Sequence, residues 1–249
     1  MSGHSKWAQI KRQKGITDVR RGQLFTKLAR EITVAVRQGG SDPEHNSPLR
    51  LVVQKAREHN MPSENIDRAI KRAAGEGEGA NLIEATFEGY GPGGVAILLQ
   101  VVSDNRNRAL QEIRHTLSRG GGSLGEAGCV AWLFETKGVI TIESSGQEAE
   151  EAALYAIDAG AEEVKIEKGY LEIYTKPEEL DTIRKAMERK NLSLISSDIP
   201  MLPKITVELE EKTAWQALKL LDQLEELDDV QRVFSNIDFS DEVLEKLRG

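Results

Sequence analysis

In the stretch EEVKIEKGYLEIYT, residues 162 to 175, two runs of β-forming residues are separated only by the turn EKGY. So short a reversal must join antiparallel strands, because a parallel crossover needs a dozen or more residues. It rules out a doubly wound parallel sheet for this part of the chain. Around it lie GVITIES, which reads as a strand, QEAEEAALYAIDAG, a helix, KPEELDTIRKAMERK, a helix, and NLSLISSDI, a last strand. The order β-α-β-β-α-β over residues 137–199 is the split βαβ pattern.

The same grammar is expected on either side. Apolar pattern and glycine punctuation predict a strand at about 94 to 103, a helix at about 106 to 119 and a strand at about 129 to 135. After the returning segment SSDIPMLP, the stretch KITVELEEKTAWQALKLLDQLEELDDVQRVFS reads as strand, helix and strand. Together these pieces predict a second β-α-β-β-α-β unit with its middle interrupted. The expected α+β domains are therefore residues 82–136 plus 203–240, and an inserted domain over 137–199.

Residues 1–75 follow a different period. In LFTKLAREITVAVRQGG, Leu24, Phe25, Leu28, Ile32, Ala35 and Val36 recur at helical spacing until Gly39 and Gly40 stop the run. Ser47 and Pro48 open a second helix with Leu49, Val52, Val53 and Ala56 inward, and Pro62 opens a third with Ile66, Ala69, Ile70 and Ala73 inward. The fold class expected is thus multidomain α and α+β: an N-terminal three-helix bundle followed by two ferredoxin-like α+β domains, the second inserted into the first. The segment GEGEGAN, residues 75–81, reads as a linker. Residues 1–22 carry no apolar stripe and read as an arm or short helix ordered by a partner, with the break near Gly22.

Charge divides along the same boundary. The 249-residue chain has a formal net charge of -8, yet residues 1–75 hold 15 basic and 7 acidic groups, and the remainder carries net -16. Through Arg37 nine cations face only Asp18 and Glu31, with Lys11 and Arg12, Lys14, and Arg20 and Arg21 grouped around Trp7. Such crowding is repulsive unless a polyanion is the partner. The plain alternatives are a solvated surface or, given the shortage of acids, an organellar transit segment. On the first predicted helix Lys27, Arg30 and Arg37 lie opposite the apolar stripe; on the third, Asn65, Arg68 and Arg72 share an outward row, residue types that contact phosphates and base edges.

Other motifs carry less. Gly89, Gly91 and Gly94 in GYGPGG fit G-x-G-x-x-G, but they lead into a strand, so the helix N-terminus that would hold a pyrophosphate is missing. GGSLG, residues 121–125, fits a nucleophile elbow, but Ser123 follows a helix and every histidine precedes it. His4, His45, His59 and His115 have no metal-ligand spacing, and Cys129, inside the apolar string CVAWLF, is expected to be a buried, inert thiol. No catalytic residue, metal site or cofactor is therefore assigned. No run of about 18 apolar residues offers a membrane span, and a reducing cytoplasm suits a chain with one cysteine.

GHSKWAQIKRQK with RRGQLFTKLAREI, NMPSENIDRAIKRAAG, and FEGYGPGGVAILLQVVSDNRNRALQEIRHTLSRGGGSLGEAGCVAWLF resemble the YebC/PmpR family over essentially the whole chain. The resemblance implies three domains, a cytoplasmic location in bacteria, no enzymatic activity and a role in gene expression. Bacterial members are described as DNA-binding transcriptional regulators, while others act in translation at the ribosome, including at proline-rich stalls. By position, the resemblance places Lys6, Trp7, Lys11, Lys14, Arg21 and Lys27 in the family's basic motif. It places Asn105, Arg106 and Arg108 in the DNRNR segment and Gly120 to Gly122 in its glycine loop. This chain has KGITDVRRG where the family more often reads KAAQDAKRG; Gly15 and Ile16 lower helix propensity there without changing the charge. The nucleic-acid-binding candidates are then Lys6, Trp7, Lys11, Arg12, Lys14, Arg20, Arg21, Lys27, Arg30, Arg68, Arg72, Arg106 and Arg108. Their expected partner is DNA or ribosomal RNA, with the ribosome itself as the second possibility and no membrane; the sequence assigns no oligomeric state.

Overall fold

The computed structural model describes residues 18–75, 82–167 and 169–239. The chain divides into two compact units, Met1–Leu133 with Pro203–Gly249, and Phe134–Leu202. Three helices open the first unit: α1 (Asp18–Gly39), α2 (Ser47–Glu58) and α3 (Ser63–Ala74). The stripes read from the sequence form one core, with Leu28, Ile32, Ala35, Val36, Leu49, Val53, Ala56, Ile66 and Ala69 buried together. Helix α1 runs through Gly22, where a break was expected. One helical glycine costs about 1 kcal/mol, which the packed stripe beyond it offsets. The linker expected at 75–81 lies, apart from Gly75, outside the described residues.

Asn46 fixes how α2 leaves α1. Its side-chain oxygen accepts from the Leu49 backbone N–H at 3.0 Å, and its amide nitrogen donates to the carbonyls of Ala35 and Gly40, each at 2.7 Å. One buried side chain thus caps the start of one helix and satisfies carbonyls at the end of another, groups that the two helices cannot pair for themselves.

The chain then forms β1 (Ile83–Tyr90), β2 (Ala96–Ser103), α4 (Arg106–Arg119) and β3 (Ser123–Leu124). The second unit follows with β4 (Phe134–Thr136), β5 (Gly138–Glu143), α5 (Gln147–Asp158), β6 (Glu163–Glu167), β7 (Tyr170–Thr175), α6 (Leu180–Arg189), β8 (Leu194–Asp198) and β9 (Met201–Pro203). The return to the first unit adds β10 (Val207–Glu208), α7 (Glu211–Glu225), β11 (Val230–Ser235) and β12 (Ile237–Asp238).

In the second unit the sheet order is β6-β7-β5-β8, with every neighbouring pair antiparallel. That is the strand order of a split βαβ unit. The β6–β7 reversal puts Gly169 at φ 94°, the left-handed region that glycine enters without a Cβ clash. Ala149, Ala152, Ala153 and Ala156 of α5 and Leu180, Ile183 and Met187 of α6 are buried, as are Ile140, Ile142, Leu171 and Ile173 of the sheet. Strands β4 and β9 pair separately.

The first unit departs from the expected second ferredoxin-like sheet. Its order is β11-β2-β1-β3, fully antiparallel, and is built on a hairpin in which Ile83 faces Ser103 and Tyr90 faces Ala96. Strand β1 takes the place beside β2 that the expected order gives to the strand of KITVELE; at 129–135 only β4 is extended, and β10 pairs in parallel with β12 in a sheet of its own. Helices α4 and α7 cover this sheet through Ala109, Ile113, Leu117, Ala217, Leu221 and Leu224.

The segment predicted as a strand at 129–135 is diverted by a buried carboxylate. Glu88 of β1 accepts from the backbone N–H groups of Gly128 at 2.6 Å, Val130 at 2.7 Å and Ala131 at 2.8 Å. Backbone groups that would have joined a ladder are satisfied by one side chain instead. Burial pushes the Glu88 carboxyl up, but the three N–H donors outweigh it and hold the group below the usual glutamate value. Cys129 in this loop is only half-buried, which corrects the expectation of a buried thiol.

Replacing Asn46 with alanine should lower stability by about 2 kcal/mol in urea denaturation, because a helix cap and two carbonyl partners are lost together. Glu88→Gln should cost about 1–3 kcal/mol at neutral pH, since its amide presents donors to N–H groups. The Glu88 carboxyl is depressed in the folded protein, so its contribution is present above the unfolded value near 4.5 and is lost as pH falls through the folded value. The difference between wild type and Glu88→Gln, read from thermal midpoints, should therefore narrow on acidification below about pH 4.5.

Candidate nucleic-acid interface

Of the basic candidates, Lys6, Trp7, Lys11, Arg12 and Lys14 lie outside the described residues, as does the side chain of Arg20. Arg21 is exposed on the first turns of α1. The others separate into cations tied into the fold and cations that face outward.

Lys27 and Arg30 belong to the first group. They were expected on an outward face of α1, but the ammonium of Lys27 donates to the Glu225 carbonyl at the end of α7. Arg30 donates to the Asp228 carbonyl and to Asp229 Oδ1, the latter at 3.1 Å. The face opposite the helix-bundle core is therefore the one that meets the end of α7 and the start of β11. Amphipathic periodicity locates the apolar stripe but cannot tell solvent from a second polar contact.

Arg108 comes to the same place from α4. Asn105 caps this helix, its side-chain oxygen accepting from the N–H groups of Asn107 and Arg108 at 3.1 Å each. One turn in, Arg108 Nη2 donates to Asp104 Oδ1 and Asp229 Oδ2, both at 2.8 Å. Ser103 Oγ donates to the same Asp229 oxygen at 2.8 Å. Asp229 is 2% exposed. A buried carboxylate thus holds two guanidinium groups and a hydroxyl, and the hydrogen bond to Asp229 is the main reason that the Arg108 guanidinium keeps its proton even more firmly than usual. Asp229, Ser103 and Asp104 were not singled out in the sequence, where a single aspartate in LEELDDVQ looks like any solvated acid.

Arg106 is exposed, with its guanidinium carbon 5.6 Å from the centroid of the Phe87 ring. Arg68 and Arg72 face fully outward on α3, one turn apart, and line a shallow depression with Lys71, Glu64 and Asp67. Among the described residues none of Arg68, Lys71 and Arg72 takes part in an ion pair or a side-chain hydrogen bond. Asn65, placed in this row from the sequence, is half-buried.

The two glycine-rich loops come together at one end of the first sheet, because Tyr90 pairs with Ser123 and Gly89 with Leu124. Packing accounts for three of their glycines, while Gly93, Gly94 and Gly121 take left-handed φ values of 75°, 77° and 80° that a Cβ disfavours. A Cβ on Gly89 would lie 2.7 Å from the Ser123 carbonyl oxygen, one on Gly120 would strike Leu220, and one on Gly122 would strike the Tyr90 carbonyl. Among the described residues no group of three or more His, Cys, Asp or Glu side chains could hold a metal ion, and no helix is long and apolar enough to cross a membrane.

Known proteins resemble the chain along its whole length. Residues 5–76 match the family model of the TACO1/YebC protein N-terminal domain, and residues 82–237 that of the TACO1/YebC second and third domain. A probable transcriptional regulatory protein of Dehalococcoides mccartyi strain CBDB1 is 57% identical over 246 residues, covering 99% of this chain and 98% of its own. One from Halothermothrix orenii is 50% identical, with 99% of both chains covered. The crystal structure of a conserved hypothetical protein from Aquifex aeolicus superposes with a TM-score of 0.81 at 45% identity, covering 90% of this chain and 93% of that one.

Asp229→Ala should take the shared carboxylate from Arg30 and Arg108 and leave the buried Ser103 hydroxyl without its acceptor, lowering stability in chemical denaturation. Arg30→Met, which keeps the stem and leaves Arg108 on the carboxylate, should cost clearly less. Equal losses for the two variants would show that the carboxylate is not shared.

Proposed function

The chain belongs to the TACO1/YebC family, and from that premise we propose that it is a non-enzymatic, nucleic-acid-binding regulator of gene expression that works in the cytoplasm. The regulatory role has the support of relatives named as transcriptional regulatory proteins. The observation that carries nucleic-acid binding is the outward row of Arg68, Lys71 and Arg72 on α3, none of which forms an ion pair among the described residues. Lys27, Arg30 and Arg108 have their charges engaged internally, so the docking surface we propose is α3 together with the basic arm before α1. Phosphates are the ligand that such cations fit, and the net charge of -16 beyond residue 75 keeps the rest of the molecule off a polyanion.

In the leading reading the partner is duplex DNA, with α3 presented to the major groove. A specific feature favours a second reading, ribosomal RNA: Glu64 and Asp67 share the row with the arginines and would repel phosphates if the helix sat deep in a groove. Shallow, shape-directed docking on structured RNA tolerates them better. In that reading the protein is a translation factor that assists difficult, proline-rich synthesis.

If about five cations contact phosphates, the slope of log K against log salt should be roughly -4.5 on duplex DNA and -3.5 on single strands. Arg68→Ala combined with Arg72→Ala should reduce the duplex slope by about 1.8. Fluorescence anisotropy on labelled random duplexes provides the measurement, and a slope near zero would sink the proposal. Purified ribosomes titrated in the same salt separate the two readings. A tenfold preference for ribosomes, about 1.4 kcal/mol, decides for translation.

A further inference from the structure

Helix α5 and strand β6 of the second unit carry an apolar strip for which folding gives no reason. Leu154 is 66% exposed, Ile157 55% and Ile166 51%. In an antiparallel pair, residues directly opposite each other point to the same side. Ile166 lies opposite Leu171, which is fully buried under the helices, so Ile166 also points to the helix layer. It remains exposed because β6 is the outer strand of the sheet β6-β7-β5-β8. Helix α5 buries its alanines, and Leu154 and Ile157, three residues apart, share the flank away from that face. The strip therefore borders a strand edge whose outer row of N–H and C=O groups no strand pairs among the described residues.

Acids flank it on both faces of the sheet. Glu150 lies on the same flank of α5, one turn before Leu154, while Glu163 and Glu167, at the two ends of β6, point to the face opposite Ile166, where Lys165 pairs with Glu163 at 3.3 Å. Asp158 occupies the last turn of α5, which has no basic residue, although an acid there opposes the helix dipole. Exposed leucine and isoleucine, an acid at the wrong end of a helix and an unpaired edge each work against the isolated fold, and all three lie together.

We propose that this edge binds another protein by strand addition, the partner being an extended segment with lysine or arginine alternating with apolar residues. Backbone hydrogen bonds to β6 supply the affinity, the strip formed by Leu154, Ile157 and Ile166 receives the apolar side chains, and the acids select the cations. A second copy of the chain fits poorly. Antiparallel self-pairing centred on Lys165 would set Glu163 against Glu167 and Lys165 against itself, and like charges facing each other across strands are repulsive. The site lies in a different unit from α3, and it stands whether or not the α3 row binds nucleic acid.

The test uses the full chain and fluorescent, end-capped peptides of about nine residues. One alternates lysine and valine, one lysine and serine, and one glutamate and valine. The lysine–valine peptide should bind about tenfold more tightly than either control. Leu154→Ser with Ile157→Ser should weaken it about tenfold with only a small fall in the thermal midpoint, because more than half of each side chain is already in solvent and what is lost is mainly helix propensity. Glu163→Lys with Glu167→Lys should turn the preference toward the glutamate–valine peptide. Equal binding of the lysine–serine peptide would overturn the proposal by reducing it to charge alone, and so would unchanged binding by the serine pair. Sedimentation showing a dimer that the serine pair dissolves would overturn it in favour of a second copy.

Discussion

The Asp229 carboxylate is the group on which the first unit depends. It is buried at the start of β11, and it receives Arg30 from α1, Arg108 from the first turn of α4 and Ser103 from the end of β2. Four elements from three distant stretches of the chain are fixed by the lone pairs of two oxygens. A buried charge is costly unless its partners are in place, so the contact is strongly conditional: with all three donors it is satisfied, and with one removed the remainder is penalised. Geometry of this kind makes the helical head and the antiparallel sheet parts of one unit, where charge asymmetry alone suggested a head and a separate body.

The same contact explains what could and could not be read in the sequence. The helix-bundle core was legible because Leu28, Ile32, Leu49, Val53 and Ile66 recur at a period that only a helix satisfies. The β6–β7 hairpin was legible because four turn residues leave one topology. Strand β1 was missed although Ile83, Ala85 and Phe87 alternate with Glu84, Thr86 and Glu88, while the apolar string at 129–135 was read as a strand. An apolar run reports burial, not hydrogen bonding, and at 129–135 the bonding went to Glu88. No local pattern reveals that a glutamate forty residues upstream will supply the acceptors.

For the candidate interface the limit is of another kind. Composition located the positive charge in the first 75 residues. It could not separate Arg30, which neutralises a buried acid, from Arg68, which faces solvent, because both sit opposite an apolar stripe. Only the third dimension shows that α1 has two occupied faces and α3 has one. The motif-based candidates Arg106 and Arg108 divide in the same way. Two residues apart near the start of one helix, one guanidinium lies by the Phe87 ring and the other closes an ion-pair network.

The glycine-rich loops follow from the same distinction between occupied and open surface. A glycine pattern suggests a ligand when the space that a Cβ would take is empty and flanked by N–H groups. Here Gly89, Gly120 and Gly122 are forced by the Ser123 carbonyl, Leu220 and the Tyr90 carbonyl. These glycines are filled in by the protein itself, and what they achieve is the close approach of β1 to the β3 loop that leads on to the Glu88-held segment. Gly93, Gly94 and Gly121 serve the turns themselves, with φ of 75°, 77° and 80°. The chain's functional surface must accordingly be sought among side chains with no partner inside the fold, and among the described cations of the first 75 residues these are Arg57 of α2 and Arg68, Lys71 and Arg72 of α3.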